Sequence, residues 1–111
     1  MRDYKLYLYD IKEAIDKVES FTADLTSEEF AKDVKTVDAV TRNLQVIGEA
    51  AGHVPKRIKE KHRNIDWRGM VGMRNILVHE YFGVRSEVIW KTIRERLPEL
   101  RNKIEEILKE E

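Results

Sequence analysis

The stretch WKTIRERLPELRNKIEEI, residues 90–107, decides the fold because its apolar side chains recur at the period of a helix. They stand three or four residues apart and keep a seven-residue repeat: Trp90, Ile93, Leu97, Leu100, Ile104 and Ile107. This pattern is typical of a helix that lies along other helices in a bundle. Pro98 falls inside the stretch, and because proline has no N–H to donate, we expect a bend or a short break there.

The N-terminal half of the chain carries two more apolar stripes with the same period. The first covers about residues 2–21, with Tyr4, Leu8, Ile11, Ile15 and Val18 on one face. A capping box, in which Thr26 and Glu29 stand three residues apart, predicts the start of the next helical region. That region carries the second stripe, which comprises Val37, Val40, Leu44, Ile47 and Ala51.

Capping signals place the remaining helices. Asn64 or Asp66 can cap a helix from about Trp67 to Glu80, and we expect Ser86 to cap the last one. Residues 55–64 form a basic stretch that predicts a short helix or a loop. The sequence therefore predicts an all-α, antiparallel up-and-down bundle of four principal helices plus one or two short ones, in a single domain over residues 1–111.

Composition excludes several classes of protein. The chain has 21 basic and 21 acidic residues, so it is neither a generally basic nucleic-acid binder nor an acidic disordered segment. Without cysteine it has no disulfide, thiolate metal site or thiol nucleophile. No apolar run approaches the roughly 20 residues of a membrane helix, and the N-terminus lacks the apolar stretch of a signal peptide. We therefore expect a soluble, cytoplasmic protein.

The anomaly in this helical pattern is Arg74. It stands at the centre of an apolar stripe made of Trp67, Met70, Val71, Leu77, Val78 and Tyr81. A buried guanidinium without a partner costs several kcal/mol, so an anion is required there. Glu49 could supply the anion, although a solvated face is the default interpretation of the polar stripe on which it lies. The site could also be open to an anionic ligand, and neither possibility excludes the other.

Asn75 and His79 extend this anomaly into a candidate active site. They are four residues apart, so on a continuous helix the amide can hydrogen-bond the imidazole and orient it. Arg74 and His79 are five apart, roughly 140° around the helix, and therefore diverge unless the helix loosens near His79 or the long side chain of Arg74 reaches around it. A fixed cation, an orienting amide, a proton-transfer group and the phenol of Tyr81 are the parts that phosphodiester cleavage needs without a metal.

The run RNILVHEY, residues 74–81, resembles the Arg-x4-His-x-Tyr motif of the HEPN superfamily, and specifically of its HepT-like toxin branch. Two flanking segments also resemble that branch: RNLQVIGEA, residues 42–50, and WRGMVGM, residues 67–73. The N-terminal YLYDI, the C-terminal Trp90 and the Leu97–Pro98 helix fit as well, so the resemblance covers nearly the whole chain.

The resemblance implies a metal-independent endoribonuclease, the toxin of a toxin–antitoxin pair, acting as a homodimer. His79 would activate the ribose 2′-hydroxyl or protonate the leaving oxygen, Arg74 would stabilise phosphate charge, and Asn75 would orient His79. The implied partner is a minimal nucleotidyltransferase antitoxin that adds AMP to Tyr81. The adduct would place phosphate and bulk beside Arg74 and block RNA.

Other interpretations of the sequence remain open. The same cluster could bind a nucleotide or dock a partner without catalysis. The histidines His53, His62 and His79 lack the helical spacing of a zinc site, so we expect no metal. Residues 51–85 carry eight basic and three acidic side chains. Five of these cations form a segment that suits an approach path for RNA phosphates: Lys56, Arg57, Lys59, Lys61 and Arg63.

Overall fold

A computed structural model of the chain describes residues 3–79 and 84–110. These residues form helices and connecting turns, with no strand within the two ranges. The helices are α1 (Tyr4–Thr22), α2 (Ser27–Lys32), α3 (Val34–His53), α4 (Lys56–Lys61), α5 (Trp67–His79), α6 (Ser86–Lys91) and α7 (Leu97–Glu110), with a π-helical turn, Thr92–Arg96, joining α6 to α7. The all-α prediction is therefore confirmed.

Contacts between the ends of the helices give the bundle its topology. Tyr7 near the start of α1 stacks on His53 at the end of α3, so these two helices are antiparallel. The packing of α5 against α3 is also antiparallel, because Val71 lies by Gly52 and Arg74 by Gly48. Across the bundle, Arg94 donates to the Thr22 carbonyl while Arg101 pairs with Asp16 and Glu19, which makes α7 antiparallel to α1. The predicted up-and-down arrangement is confirmed.

The core is built largely from the apolar stripes that the sequence predicts. Helix α1 buries Leu8, Ile11, Ile15 and Val18, and α3 buries Val40, Leu44, Ile47 and Ala51. From the C-terminal stripe Ile93, Leu97, Ile104 and Ile107 are buried, while Trp90 and Leu100 are partly buried against the same core. Burial of these side chains supplies most of the driving force for folding.

Local hydrogen bonding modifies the predicted elements at three points. The second helical region is split at Asp33, whose carboxylate accepts from the Thr36 backbone N–H and so starts α3 anew. Pro98 does mark a break: in the π-helical turn before it, Leu97 donates five residues back, to the Thr92 carbonyl. The prediction for Ser86 was wrong, because Arg85 occupies the N-cap position and makes no side-chain cap hydrogen bond.

An apolar groove separates α5 from the C-terminal helices. It has a volume of about 510 Å³, and its walls include Ile47 on α3, Met70 and Met73 on α5, and Leu97 and Leu100 on α7. Because α5 therefore rests mainly on α3, the contact between these two helices decides where the residues of α5 lie. Nowhere in the described part of the chain is a helix both long and apolar enough to cross a membrane.

Candidate active site

The start of α5 is fixed by two hydrogen bonds. The Asp66 carboxylate accepts from the Gly69 backbone N–H at 2.9 Å. Of the two candidates that the sequence offers, Asn64 and Asp66, Asp66 is therefore the residue that caps α5. The indole N–H of the buried Trp67 donates to the His62 carbonyl at 3.0 Å. These bonds set the register of α5, and hence the position of every functional side chain along it.

Helices α3 and α5 approach each other closely at Gly48. A Cβ atom placed on it would lie 2.2 Å from Arg74 Cβ and 2.6 Å from the Met70 carbonyl oxygen, both closer than atoms can pack. Only the absence of a side chain at Gly48 allows Arg74 to cross α3 here. The stem of Arg74 is therefore positioned by backbone packing rather than by its charge.

The guanidinium of Arg74 has two polar neighbours among the described residues. Its Nη2 lies 3.7 Å from Glu49 Oε1, and its Nη1 donates to Asn75 Oδ1 at 3.1 Å. Its Nε is buried and has no hydrogen-bond partner among the described residues. About a third of the side chain stays exposed, so the ion pair is of the loose, solvent-screened kind that contributes about 1 kcal/mol or less. A phosphate could thus join or replace Glu49.

His79 is the last residue of α5 and is exposed, as is Asn75. The helix is unbroken between Arg74 and His79, so the angular separation of roughly 140° is retained and the two groups can meet at one phosphate only through the reach of the Arg74 side chain. The amide oxygen of Asn75 accepts a hydrogen bond from Arg74, and no hydrogen bond among the described residues joins Asn75 to His79. The orienting role of Asn75 stays a prediction. Tyr81 lies outside the described residues.

The basic segment lies on and just after α4. Lys56, Arg57, Lys61 and Arg63 are exposed and Lys59 is partly buried, with Lys56 paired to Glu60 at 3.7 Å. His62 is largely covered, and its Nε2 lies 3.8 Å from a Glu110 carboxylate oxygen. Among the residues that the structure describes, no group of three or more His, Asp or Glu side chains could hold a metal ion.

The sequence alone missed two features of this region. One is the close approach at Gly48, and the other is the stack of Tyr7 on His53, whose ring centroids are 5.1 Å apart at an interplanar angle of 15°. A signal for the stack was present: Tyr4 and Tyr7 are three residues apart near the start of the first helix, and antiparallel packing brings that end of α1 to the end of α3. Only the register of α1 against α3 shows that Tyr7 meets His53.

The all-α bundle places an arginine, an amide and a terminal histidine on α5, beside a glutamate of the neighbouring α3. This arrangement fits the HEPN class of proteins, which the sequence of residues 74–81 resembles. The family model described as "Ribonuclease HepT-like" matches residues 11–107. The chain belongs to this HepT-like family.

Curated relatives agree over nearly their full lengths. The chain is 46% identical over 108 residues to a "Probable ribonuclease HepT" of Thermococcus cleftensis, covering 97% of this chain and 98% of the relative. It is 41% identical over 109 residues to a "Putative RNase" of Methanocaldococcus jannaschii, covering 98% and 90% of the two chains. A "Putative RNase" of Caldanaerobacter subterraneus is 38% identical over 111 residues, with 100% and 99% coverage. No solved structure gave a significant match.

Proposed function

We propose that this protein is a metal-independent endoribonuclease in which Arg74 and His79 cleave the RNA backbone. The observation that carries the proposal is the setting of Arg74: its stem is fixed over Gly48, and its partly exposed guanidinium is only loosely paired with Glu49. Such a cation can exchange a carboxylate for a phosphodiester. Membership of a ribonuclease-named family supports the choice of RNA as that phosphodiester.

The reaction is a transesterification. The ribose 2′-oxygen attacks the adjacent phosphorus, the bond from phosphorus to the 5′-oxygen breaks, and a 2′,3′-cyclic phosphate and a 5′-hydroxyl result. His79 accepts the 2′-hydroxyl proton or donates one to the leaving 5′-oxygen, solvent water carries the other proton transfer, and Arg74 stabilises the charge that develops on phosphate. Asn75 and Glu49 act as supporting residues, Asn75 by orienting His79 and Glu49 by positioning the guanidinium. Acid–base transfer and a fixed cation suffice for this chemistry.

We propose that residues 1–111 form a single domain and that this protein is the toxin of a toxin–antitoxin pair. The toxin would be a homodimer, reached by RNA along the basic segment of Lys56, Arg57, Lys59, Lys61 and Arg63. A minimal nucleotidyltransferase antitoxin would neutralise it by adding AMP to Tyr81. Addition of a phosphate two residues from His79 would place a competing anion at the phosphate site.

The experiment for the reaction uses wild-type protein, a labelled RNA and the same sequence with every ribose 2′-deoxy, all in excess EDTA. We expect the RNA to be cut to products with cyclic phosphate ends and the deoxy strand to stay intact. Binding of the RNA without cleavage would instead favour the non-catalytic, partner-docking alternative.

The modification has its own test. The protein is incubated with ATP and the proposed partner, a minimal nucleotidyltransferase, and its intact mass is measured. We expect the mass of the wild type, and of the matched Tyr9→Phe variant, to rise in steps of one AMP, and that of Tyr81→Phe to stay constant. A rise of equal size in Tyr81→Phe would show that another residue is modified.

A further inference from the structure

The stack of Tyr7 on His53 is the feature outside the Arg74 site with the clearest chemical use. The two rings are nearly parallel, at 15°, and their centroids are 5.1 Å apart. His53 is exposed at the end of α3, whereas Tyr7 is partly buried against the core. Tyr7 therefore backs one face of the imidazole, and the opposite face can receive another flat ring.

A second aromatic contact lies one turn away. The guanidinium carbon of Arg57 stands 5.2 Å from the ring centroid of Tyr4, which is three residues before Tyr7 on α1. Arg57 itself belongs to the basic segment and is exposed. The stack thus adjoins cations that attract a polyanion, a combination of aromatic faces and positive charge that single-stranded nucleic acids favour.

The position of the stack also connects it to the proposed catalytic site. His53 follows Glu49 by four residues on α3, about 6 Å along the helix axis, and Glu49 is the residue paired with Arg74. Between them Gly52 is exposed and carries no side chain, and a Cβ there would meet only Val71, at 3.8 Å. A strand that lies with one phosphate at Arg74 can therefore reach the stack across bare helix backbone.

We propose that His53, backed by Tyr7, is a base-stacking subsite for single-stranded RNA, which holds the base of a nucleotide next to the cleaved phosphodiester. The subsite rests on the proposed function for its location, but it makes a claim about binding that cleavage alone does not test. Stacking on one face of a ring selects for an unpaired base and tolerates any base identity. The subsite would therefore confer a preference for single-stranded over double-stranded RNA.

Binding is measured first, by fluorescence anisotropy with a short 2′-O-methyl RNA that cannot be cleaved. His53→Ala should weaken binding about fivefold or more, the lower end of what one base stack contributes. His53→Phe retains a ring and should bind nearly as wild type. Tyr9→Ala removes an exposed ring from the other side of α1 and is the matched control.

Abasic oligonucleotides then locate the effect. One base at a time is removed, and at the stacked position wild type and His53→Ala should bind equally. The inference is overturned if His53→Ala binds the intact oligonucleotide like wild type, or if Tyr9→Ala weakens binding as much. Neither result affects the proposed function, which fails separately if wild-type protein leaves the cleavable RNA intact.

Discussion

At the scale of single residues, Gly48 decides whether Arg74 can stand where it does. Adding one methyl group there forces Arg74 and the α5 backbone at Met70 away from α3. We expect Gly48→Ala to lower the free energy of unfolding by about 1–3 kcal/mol, the usual cost of overpacking a tight contact. Urea unfolding followed by circular dichroism measures this change.

Gly52→Ala is the matched control for that prediction. It lies one turn further along α3, where an added Cβ meets nothing closer than 3.8 Å. Because alanine is a better helix former than glycine, Gly52→Ala should leave stability unchanged or raise it by up to about 1 kcal/mol. If both variants lost the same stability, the close approach at Gly48 would not be the cause.

At the scale of elements, Asp33 marks the boundary between α2 and α3. Its carboxylate accepts from the side chain and the backbone N–H of Thr36, and these hydrogen bonds hold the pKa of Asp33 below its ordinary value of 3.8. A carboxyl group with a lowered pKa in the folded state adds stability above its unfolded pKa and loses it as the pH falls further. The cap on α3 therefore weakens only below about pH 3.8.

The corresponding prediction compares wild type with Asp33→Ala across pH. The difference in their urea midpoints should be constant at neutral and mildly acidic pH and should shrink as the pH drops below 3.8. Asp33→Asn keeps an oxygen for the cap but does not titrate, so its difference from Asp33→Ala should persist. A wild-type advantage that stays constant far below 3.8 would contradict the proposed role of the ionised cap.

The elements also show what the sequence could and could not predict. Helical periodicity identified the buried faces of α1, α3 and α7, because a core-facing stripe needs only local spacing. Periodicity predicted α2 and α3 as one helical region, because the turn at Asp33 depends on a hydrogen bond from Thr36 that leaves no trace in the spacing of apolar residues. Arg74 was identified as needing an anion, and Glu49 was the candidate that the structure places beside it.

What the sequence could not give was pairing between helices. That Gly48 faces Arg74, and that Tyr7 meets His53, depends on the relative register of antiparallel helices. Register is set by the summed packing of both faces and has no short-range signature. His53 therefore entered the sequence argument only as a metal candidate, and its ring contact emerged from the fold.

At the scale of the whole molecule, one stripe of α5 suits a contact with a second copy. Gly72, Ile76 and His79 are three and four residues apart, so they share a face. Ile76 is 45% exposed, and a Cβ at Gly72 would meet nothing within 4 Å. A partner seated there would cover an exposed apolar side chain beside His79, as the proposed homodimer requires.

We therefore expect Ile76→Glu to weaken the dimer. Light scattering after size exclusion should give the wild type twice the 13.2 kDa mass of one chain, and the variant a mass near that of one chain. The matched control is Val88→Glu, an exposed apolar residue on α6. If Ile76→Glu remained as dimeric as the control, this stripe would not be the interface.

The central claim is that Arg74 and His79 perform the cleavage, and the single-turnover rate of RNA cleavage tests it most directly. Arg74→Ala and His79→Ala should each lower this rate about 100-fold or more while retaining the circular dichroism spectrum of the wild type. Arg96→Ala removes a largely exposed arginine that is paired with Asp66, and it should cleave at the wild-type rate. Folded Arg74→Ala and His79→Ala variants that cleave as fast as the wild type would contradict the account.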